Sequence, residues 1–96
     1  MTKEESIALA SKLSQDYRTL ERIKKQIKVI RQRILFLEQK RARSQAALVD
    51  AILRKVDPND EDVEYFNQFT GEIVRLRAEM RDLEKQLFQN KENGKE

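Results

Sequence analysis

The chain has 96 residues, no cysteine and no histidine, and a net charge of +3. Those absences exclude disulfide bonds and the usual zinc and iron sites, whose ligands are these two residue types. No apolar run approaches the roughly 20 residues of a membrane span, and the start of the chain lacks the pattern of a secretion signal. We therefore expect a single small domain in a soluble, cytoplasmic protein.

The remaining composition favours helices. Charged residues make up 39% of the chain, compared with about 25% in an average globular protein. Apolar residues also make up 39%, and only two Gly and one Pro are present. Little of the chain can therefore be loop, and this mixture is typical of long amphipathic helices.

The first predicted element is a long helix over about residues 3–55, because no Gly or Pro falls between Met1 and Asp57. Thr2 and Glu5 have the spacing of a capping box at its start. Polar residues around Ser14 compete for backbone hydrogen bonds, so the helix can kink or break near residues 14–16.

This helix carries an apolar seam, a row of side chains with alternating spacings of four and three residues. The seam weakens through Arg41 and Ser44 and returns at Leu48 and Ile52. Its strong part consists of Ile23, Ile27, Ile30, Ile34 and Leu37.

The second predicted element is a helix over about residues 58–89. Asp57 is its predicted N-cap. Pro58 suits the first helical position, because a backbone N–H at that position has no hydrogen-bond partner within the helix, so proline can lack it without cost. Residues 91–96 are predicted to form a disordered tail. The helix has its own seam, formed by Phe66, Phe69, Ile73, Leu76, Met80, Leu83 and Leu87.

The short link between these helices forces them to be antiparallel neighbours. Folding near Asp57 pairs residues 23–55 with 58–91, and it places Gly71 opposite Arg43, where a close backbone approach would explain the glycine. The first 21 residues then lack a partner and either fold back as a third helix or form an arm that packs on another chain. We predict an all-α antiparallel helical hairpin, coiled-coil-like, that assembles into a helical bundle as a homo-oligomer, with a dimer favoured.

A second apolar stripe on the first helix predicts an interaction surface. One partner helix can cover a single stripe, so an isolated hairpin leaves the other exposed. The alternative is that the N-terminal overhang, through Ile7, Leu9, Leu13, Tyr17 and Leu20, folds back onto it. The predicted partner or self-interface comprises Leu35, Ala42, Ala46, Val49, Leu53 and Val56, with Phe36 on a further side of the helix.

Residues 22–43 contain nine positive side chains and one negative. One interpretation is a phosphate-binding face. The other is neutralisation by the acidic second helix, which would place Arg31 and Arg33 near Asp82 and Glu84, and residues 54–55 near residues 60–61. The candidate phosphate contacts are Lys24, Lys25, Lys28, Arg31 and Arg33.

The hairpin tip carries an acidic cluster of Asp57, Asp60, Glu61 and Asp62. A calcium loop needs Gly at its sixth position and Glu at its twelfth. Counted from Asp57, this chain has Asp62 and Gln68 there, so the cluster does not match a calcium loop. The hairpin resembles the N-terminal hairpin of the Gre-type transcript-cleavage factors, on the basis of Asp57, Asp60, Glu61, Glu64, Tyr65 and residues 81–87. That resemblance covers the hairpin only. It implies an acidic tip that enters the secondary channel of bacterial RNA polymerase and holds a catalytic magnesium ion.

Catalysis has little support in this sequence, which offers no His or Cys as base or nucleophile and no Gly-rich phosphate loop. We expect no cofactor, no metal and no small-molecule substrate. The predicted function is a small non-enzymatic protein–protein interaction module, such as an assembly, chaperone or adaptor protein, that acts through a coiled-coil surface. The alternative is a nucleic-acid- or RNA-polymerase-associated regulator that uses the basic first helix or the acidic tip.

Overall fold

The computed structural model describes residues 2–93, with side chains described through Gln89. Helix α1 spans Lys3–Leu53 and helix α2 spans Asp60–Asn93, and residues 54–59 link them. The helices pack against each other as an all-α hairpin, which confirms the predicted fold class, and the described residues contain no strand. Of the predicted tail, residues 94–96 lie outside the described residues.

Helix α1 begins at the predicted capping box. The Thr2 hydroxyl accepts a hydrogen bond from the Glu5 N–H at 3.2 Å, and the Glu5 carboxylate accepts one from the Thr2 N–H at 3.3 Å. The helix then continues through residues 14–16 without a break. The fold-back alternative is therefore wrong, because residues 3–18 extend α1 as an exposed arm and form no third helix.

Helix α1 ends in a Schellman motif. The Val56 N–H donates to the Ala51 carbonyl at 3.0 Å, and the Lys55 N–H donates to the Ile52 carbonyl at 3.1 Å. Lys55 has φ 59°, a left-handed conformation that helix ends usually assign to Gly. A Cβ at such a position costs about 1–2 kcal/mol, so this turn stores strain.

Asn59 caps helix α2, and the predicted Asp57 cap is wrong. The Asn59 side-chain oxygen accepts from the Glu61 N–H at 3.0 Å, and its carbonyl accepts the first helical bond from Val63 at 3.2 Å. Pro58 consequently precedes the cap and does not occupy the first helical position. The physical reason is that the Schellman turn consumes residues 54–56 before the chain can reverse, and Asn caps as well as Asp.

The core is a single row of side chains between the two helices. Leu37 and Ile73 are each 1% exposed, and Ile34 joins them in one cluster. Ile23 and Ile27 extend the buried row along α1. The partly buried side chains packed against the cluster are Ile30, Phe69, Leu76 and Met80.

The register differs from the predicted one by about one helical turn. Arg33 pairs with Glu72 on one side of the seam, and Arg77 pairs with Glu38 on the other side. The residue numbers of these pairs add up to 105 and 115, so those of facing seam residues, which lie between the two pairs, add up to about 110. Folding directly at Asp57 would give about 114. The difference follows from the end of α1 and the cap of α2, which place the reversal earlier in the chain than the proline does.

Gly71 is exposed, and a Cβ built on it would meet no heavy atom within 4 Å. The predicted close approach of two backbones at this position is therefore wrong. The glycine does not serve packing inside the hairpin.

The molecule is long and thin, with principal extents of 78 × 17 × 14 Å. It exposes 8165 Å², whereas a globular protein of its mass exposes about 5,800 Å². The excess of about 2,400 Å² is roughly three times what one partner contributes to a standard protein interface. The hairpin therefore has ample surface for association.

Candidate interaction surfaces

The predicted second stripe lies exposed on α1. We call Leu35, Ala42, Ala46, Val49 and Leu53 the outer stripe, because their spacing keeps them on one helical face. Leu35 is 56% exposed and Leu53 is 76% exposed. From Ala42 to Leu53 the stripe lines a shallow groove. Within the described hairpin, α2 leaves this face uncovered.

The outer stripe ends in an apolar patch at the tip that the sequence pattern only partly indicated. Val56, in the link, is exposed as predicted. Ile52 was assigned to the seam, and that assignment is wrong, since its side chain is 66% exposed. The seam passes through half-buried Ala51 instead, one residue earlier. A strict seven-residue repeat from Leu37 and Ser44 indicates Ala51, and this signal could have identified Ile52 as a surface residue.

Phe36 belongs to a separate cluster of aromatic and basic side chains. The Lys40 ammonium lies 4.7 Å from the Phe36 ring centre and 6.0 Å from that of Phe69, and the Arg33 guanidinium lies 5.5 Å from Phe36. Tyr65 stacks on Phe69 with ring centres 6.0 Å apart. These cation–π contacts place charged side chains against the Phe36 ring. The side chain is 45% exposed and lies on a different face of α1 from the outer stripe.

Most of the basic side chains of residues 22–43 are not neutralised by α2. Among the described residues, Arg33 pairs with Glu72 at 3.2 Å, and Lys24 pairs with Glu21 of its own helix at 3.5 Å. The predicted pairs with Asp82 and Glu84 do not form there, because of the change in register.

Three of the candidate phosphate contacts follow one face of α1. Lys24, Lys28 and Arg31 are spaced four and three residues apart, and Leu35 follows four residues later on the same face. This basic line therefore leads directly into the outer stripe. Lys25 lies on another face of α1. Salt bridges to described residues are absent at Lys25, Lys28 and Arg31.

The acidic cluster lies at the hairpin tip, where α2 begins. Asp57 is exposed in the link, Asp60 and Glu61 are exposed in the first turn of α2, and Asp62 is half-buried. In the first turn these carboxylates face the positive end of the helix dipole, which stabilises them there. No group of three potential ligands in the described part of the chain is arranged to hold a metal ion.

The N-terminal arm continues the seam of α1 past the end of its partner. Leu9, Leu13 and Leu20 stand at the same alternating spacings as Ile23 and Ile27. Leu9 is 46% exposed and Leu13 is 59% exposed, whereas Leu20 is half-buried. The sequence pattern predicts an overhang, and the structure adds that the overhang continues the same row of side chains.

In the part of the chain that the structure describes, neither helix combines the length and apolar character of a membrane span. Comparisons of the chain with protein families, curated proteins and solved structures gave no significant match. The exposed surfaces are therefore the features of the molecule that indicate a function.

Proposed function

We propose that the chain is a small non-enzymatic protein–protein interaction module, an assembly, chaperone or adaptor protein that acts through a coiled-coil surface. Its partner-binding surface is the outer stripe with the adjoining Val56. The observation that carries this proposal is the exposure of Leu35, Val49, Leu53 and Val56 along one side of the molecule, at 46–76% each. Covering them would contribute about 4–7 kcal/mol as an upper estimate.

The chemistry of this face indicates the kind of partner. A helix with an apolar face would fill the groove from Ala42 to Leu53, as in helix-in-groove recognition. The basic line of Lys24, Lys28 and Arg31 would favour acidic residues where that helix continues past Leu35. The proposed partner is thus an acidic amphipathic helix of a cytoplasmic protein.

Self-association is part of the same proposal, with a dimer favoured. The thin core and the surface excess support it, because a helical hairpin with five buried side chains among its described residues gains much from a further layer of helices. Two hairpins would then form a helical bundle.

Substitution of the stripe tests the partner-binding proposal. Val49→Asp and Leu53→Asp should each abolish co-purification of the partner from the source cells, because the contact would bury an unpaired charge. Ala78→Asp is the matched control, since it adds the same charge at an exposed position of α2 outside the stripe. Equal recovery with all three variants would contradict the assignment of the stripe.

A second candidate function, contact with nucleic acid, is favoured by the basic side chains that α2 leaves without partners. Lys28→Gln and Arg31→Gln should each reduce the affinity for duplex nucleic acid and lower the slope of log affinity against log salt by about one. The acidic-tip version of this alternative would instead depend on Asp60 and Glu61. Absence of binding at low salt would eliminate the basic-face candidate.

A further inference from the structure

We propose that the N-terminal arm pairs antiparallel with the same arm of a second copy, and that this contact forms the dimer. The proposal rests on the proposed function in one respect, because it specifies how self-association occurs. It assigns the dimer contact to residues 2–20 and leaves the outer stripe free for a different partner.

The apolar seam of α1 continues from the hairpin into the arm. The side chains of Ile23 and Ile27 are 5% and 7% exposed because α2 covers them, and Leu87 is the last described seam residue of α2. Leu9 and Leu13 continue that row with no helix beside them. An unpaired helical stretch of about 15 residues is only marginally stable in water, so a packed neighbour would stabilise the arm.

A charged residue in the seam of the arm favours the antiparallel orientation. Asp16 occupies a seam position between Leu13 and Leu20. Parallel arms would place Asp16 directly against Asp16 of the second copy, with two like charges in an apolar row. Antiparallel arms avoid this contact, and they allow the Ser6 hydroxyl of one copy to donate a hydrogen bond to the Asp16 carboxylate of the other.

Charged residues beside the seam favour one register of the two arms. Within the hairpin, Arg33 and Glu72 each directly precede a seam residue, and they pair across the seam at 3.2 Å. Glu5 and Lys12 hold the equivalent positions in the arm, before Ser6 and Leu13. The same geometry pairs Glu5 with Lys12 of the second copy, twice by symmetry, when Leu9 faces Leu13. A shift of one heptad in either direction would instead pair Glu5 with Glu5 or Lys12 with Lys12.

This register brings the second copy to the end of the hairpin, where it overlaps only the last turn of α2. Thr2 of the second copy would face Leu20, just beyond the level at which Leu87 of α2 faces Ile23. Tyr17, which is 65% exposed, would lie across Ala10 of the second copy, as Arg77 and Glu38 lie across the seam in the hairpin. Helix α2 extends to Asn93, so its last turn gives way to the incoming arm.

The absence of native cysteine makes disulfide trapping a clean test of this arrangement. Mixing the full-length variants Leu9→Cys and Leu13→Cys under mild oxidation should give a crosslinked heterodimer, and neither variant alone should crosslink comparably. In the homotypic pairs the two sulfurs would be offset by about one helical turn along the axis, which a disulfide cannot span. Crosslinking of Leu13→Cys with itself would show parallel arms and overturn the proposal.

Light scattering on the whole chain gives the second test. Wild type should be a dimer and Leu13→Asp a monomer with an intact hairpin, because Leu13 lies outside the hairpin contact. Lys12→Glu should raise the dimer dissociation constant about 3- to 30-fold. Arg18→Glu, the same change on the outer side of the arm, should leave it nearly unchanged.

The outcomes separate this proposal from the proposed function. A monomeric wild type, or a dimer that survives Leu13→Asp, would overturn arm pairing while leaving partner binding by the outer stripe intact. A dimer that is lost in Val49→Asp and kept in Leu13→Asp would assign self-association to the stripe. Dimer loss in Leu13→Asp with full partner recovery in Val49→Asp would support arm pairing and contradict the stripe.

Discussion

The middle of the hairpin and the N-terminal arm carry the same heptad pattern on one continuous helix, yet their seam side chains have opposite environments. Ile23, Ile27 and Ile34 are 5–7% exposed, whereas Leu9 and Leu13 are 46% and 59% exposed. Leu9 and Leu13 are as aliphatic as the three isoleucines, so the chemistry of these side chains does not explain the difference. The length of α2 explains the difference, because α2 packs beside the hairpin part of α1 and ends before the arm. A heptad pattern therefore predicts that a row of side chains will be buried, but it does not identify the helix that buries it.

The largest expected effect compares the same substitution in both regions. Leu37→Ala should lower the free energy of unfolding by about 2–5 kcal/mol, because it leaves a cavity beside Ile73. Leu13→Ala should change it by less than about 0.5 kcal/mol at concentrations where the chain is monomeric. Urea denaturation followed by circular dichroism measures both, and equal losses would contradict the assignment of Leu13 to an unpaired arm.

The end of α1 offers a way to strengthen the hairpin alone. Lys55→Gly should raise the free energy of unfolding by about 1 kcal/mol, since Gly adopts the left-handed conformation without a Cβ clash. Arg54→Gly is the control, because Arg54 has φ −82° and should lose stability when its backbone becomes more flexible. Thermal unfolding at a fixed concentration gives both values. A loss of stability in Lys55→Gly would contradict the Schellman geometry.

Gly71 allows a smaller adjustment in α2. Gly71→Ala should stabilise the hairpin by about 0.5–1 kcal/mol, because the helix gains propensity and the new methyl group meets no neighbour. Denaturant unfolding below the concentration of self-association checks this. A destabilisation there would mean that the hairpin does need a close approach at this position.

The smallest effect concerns the ion pair between Glu38 and Arg77. Both side chains are partly exposed, at 32% and 54%, so solvent screens their attraction. A double-mutant cycle with Glu38→Gln and Arg77→Gln should give a coupling energy of only about 0.2–1 kcal/mol. A larger coupling would show that flanking charges, in addition to the apolar seam, hold the hairpin together.

The sequence was sufficient for those features that depend on local patterns. The two long helices, the capping box of Thr2 and Glu5, and the unpaired N-terminal segment all follow from spacing and from the absence of Gly and Pro. The exposed stripe from Leu35 to Leu53 could also be predicted from the sequence, because it is a second apolar row on a helix that has only one neighbouring helix in the predicted hairpin. Which of these surfaces is used stays a prediction.

The sequence was insufficient where two helices had to be positioned relative to each other. The cap at Asn59 and the left-handed Lys55 depend on how the chain reverses, and a shift of two residues there moves the register by a turn. That shift changes the ion-pair partners of Arg33 and removes the proposed role of Gly71. Ile52 was misassigned because spacings of three and four both continue a helical row, and only the supercoil selects Ala51.

Hydrogen exchange of the intact chain tests the central claim most directly, that one seam is covered in the hairpin and uncovered in the arm until a second copy arrives. At low concentration, amides around residues 23–37 and Ile73 should be strongly protected, while those of residues 3–18 should exchange quickly. At concentrations that favour the dimer, the arm should become protected while the hairpin changes little. Strong arm protection at the lowest concentration, or none at the highest, would contradict this account.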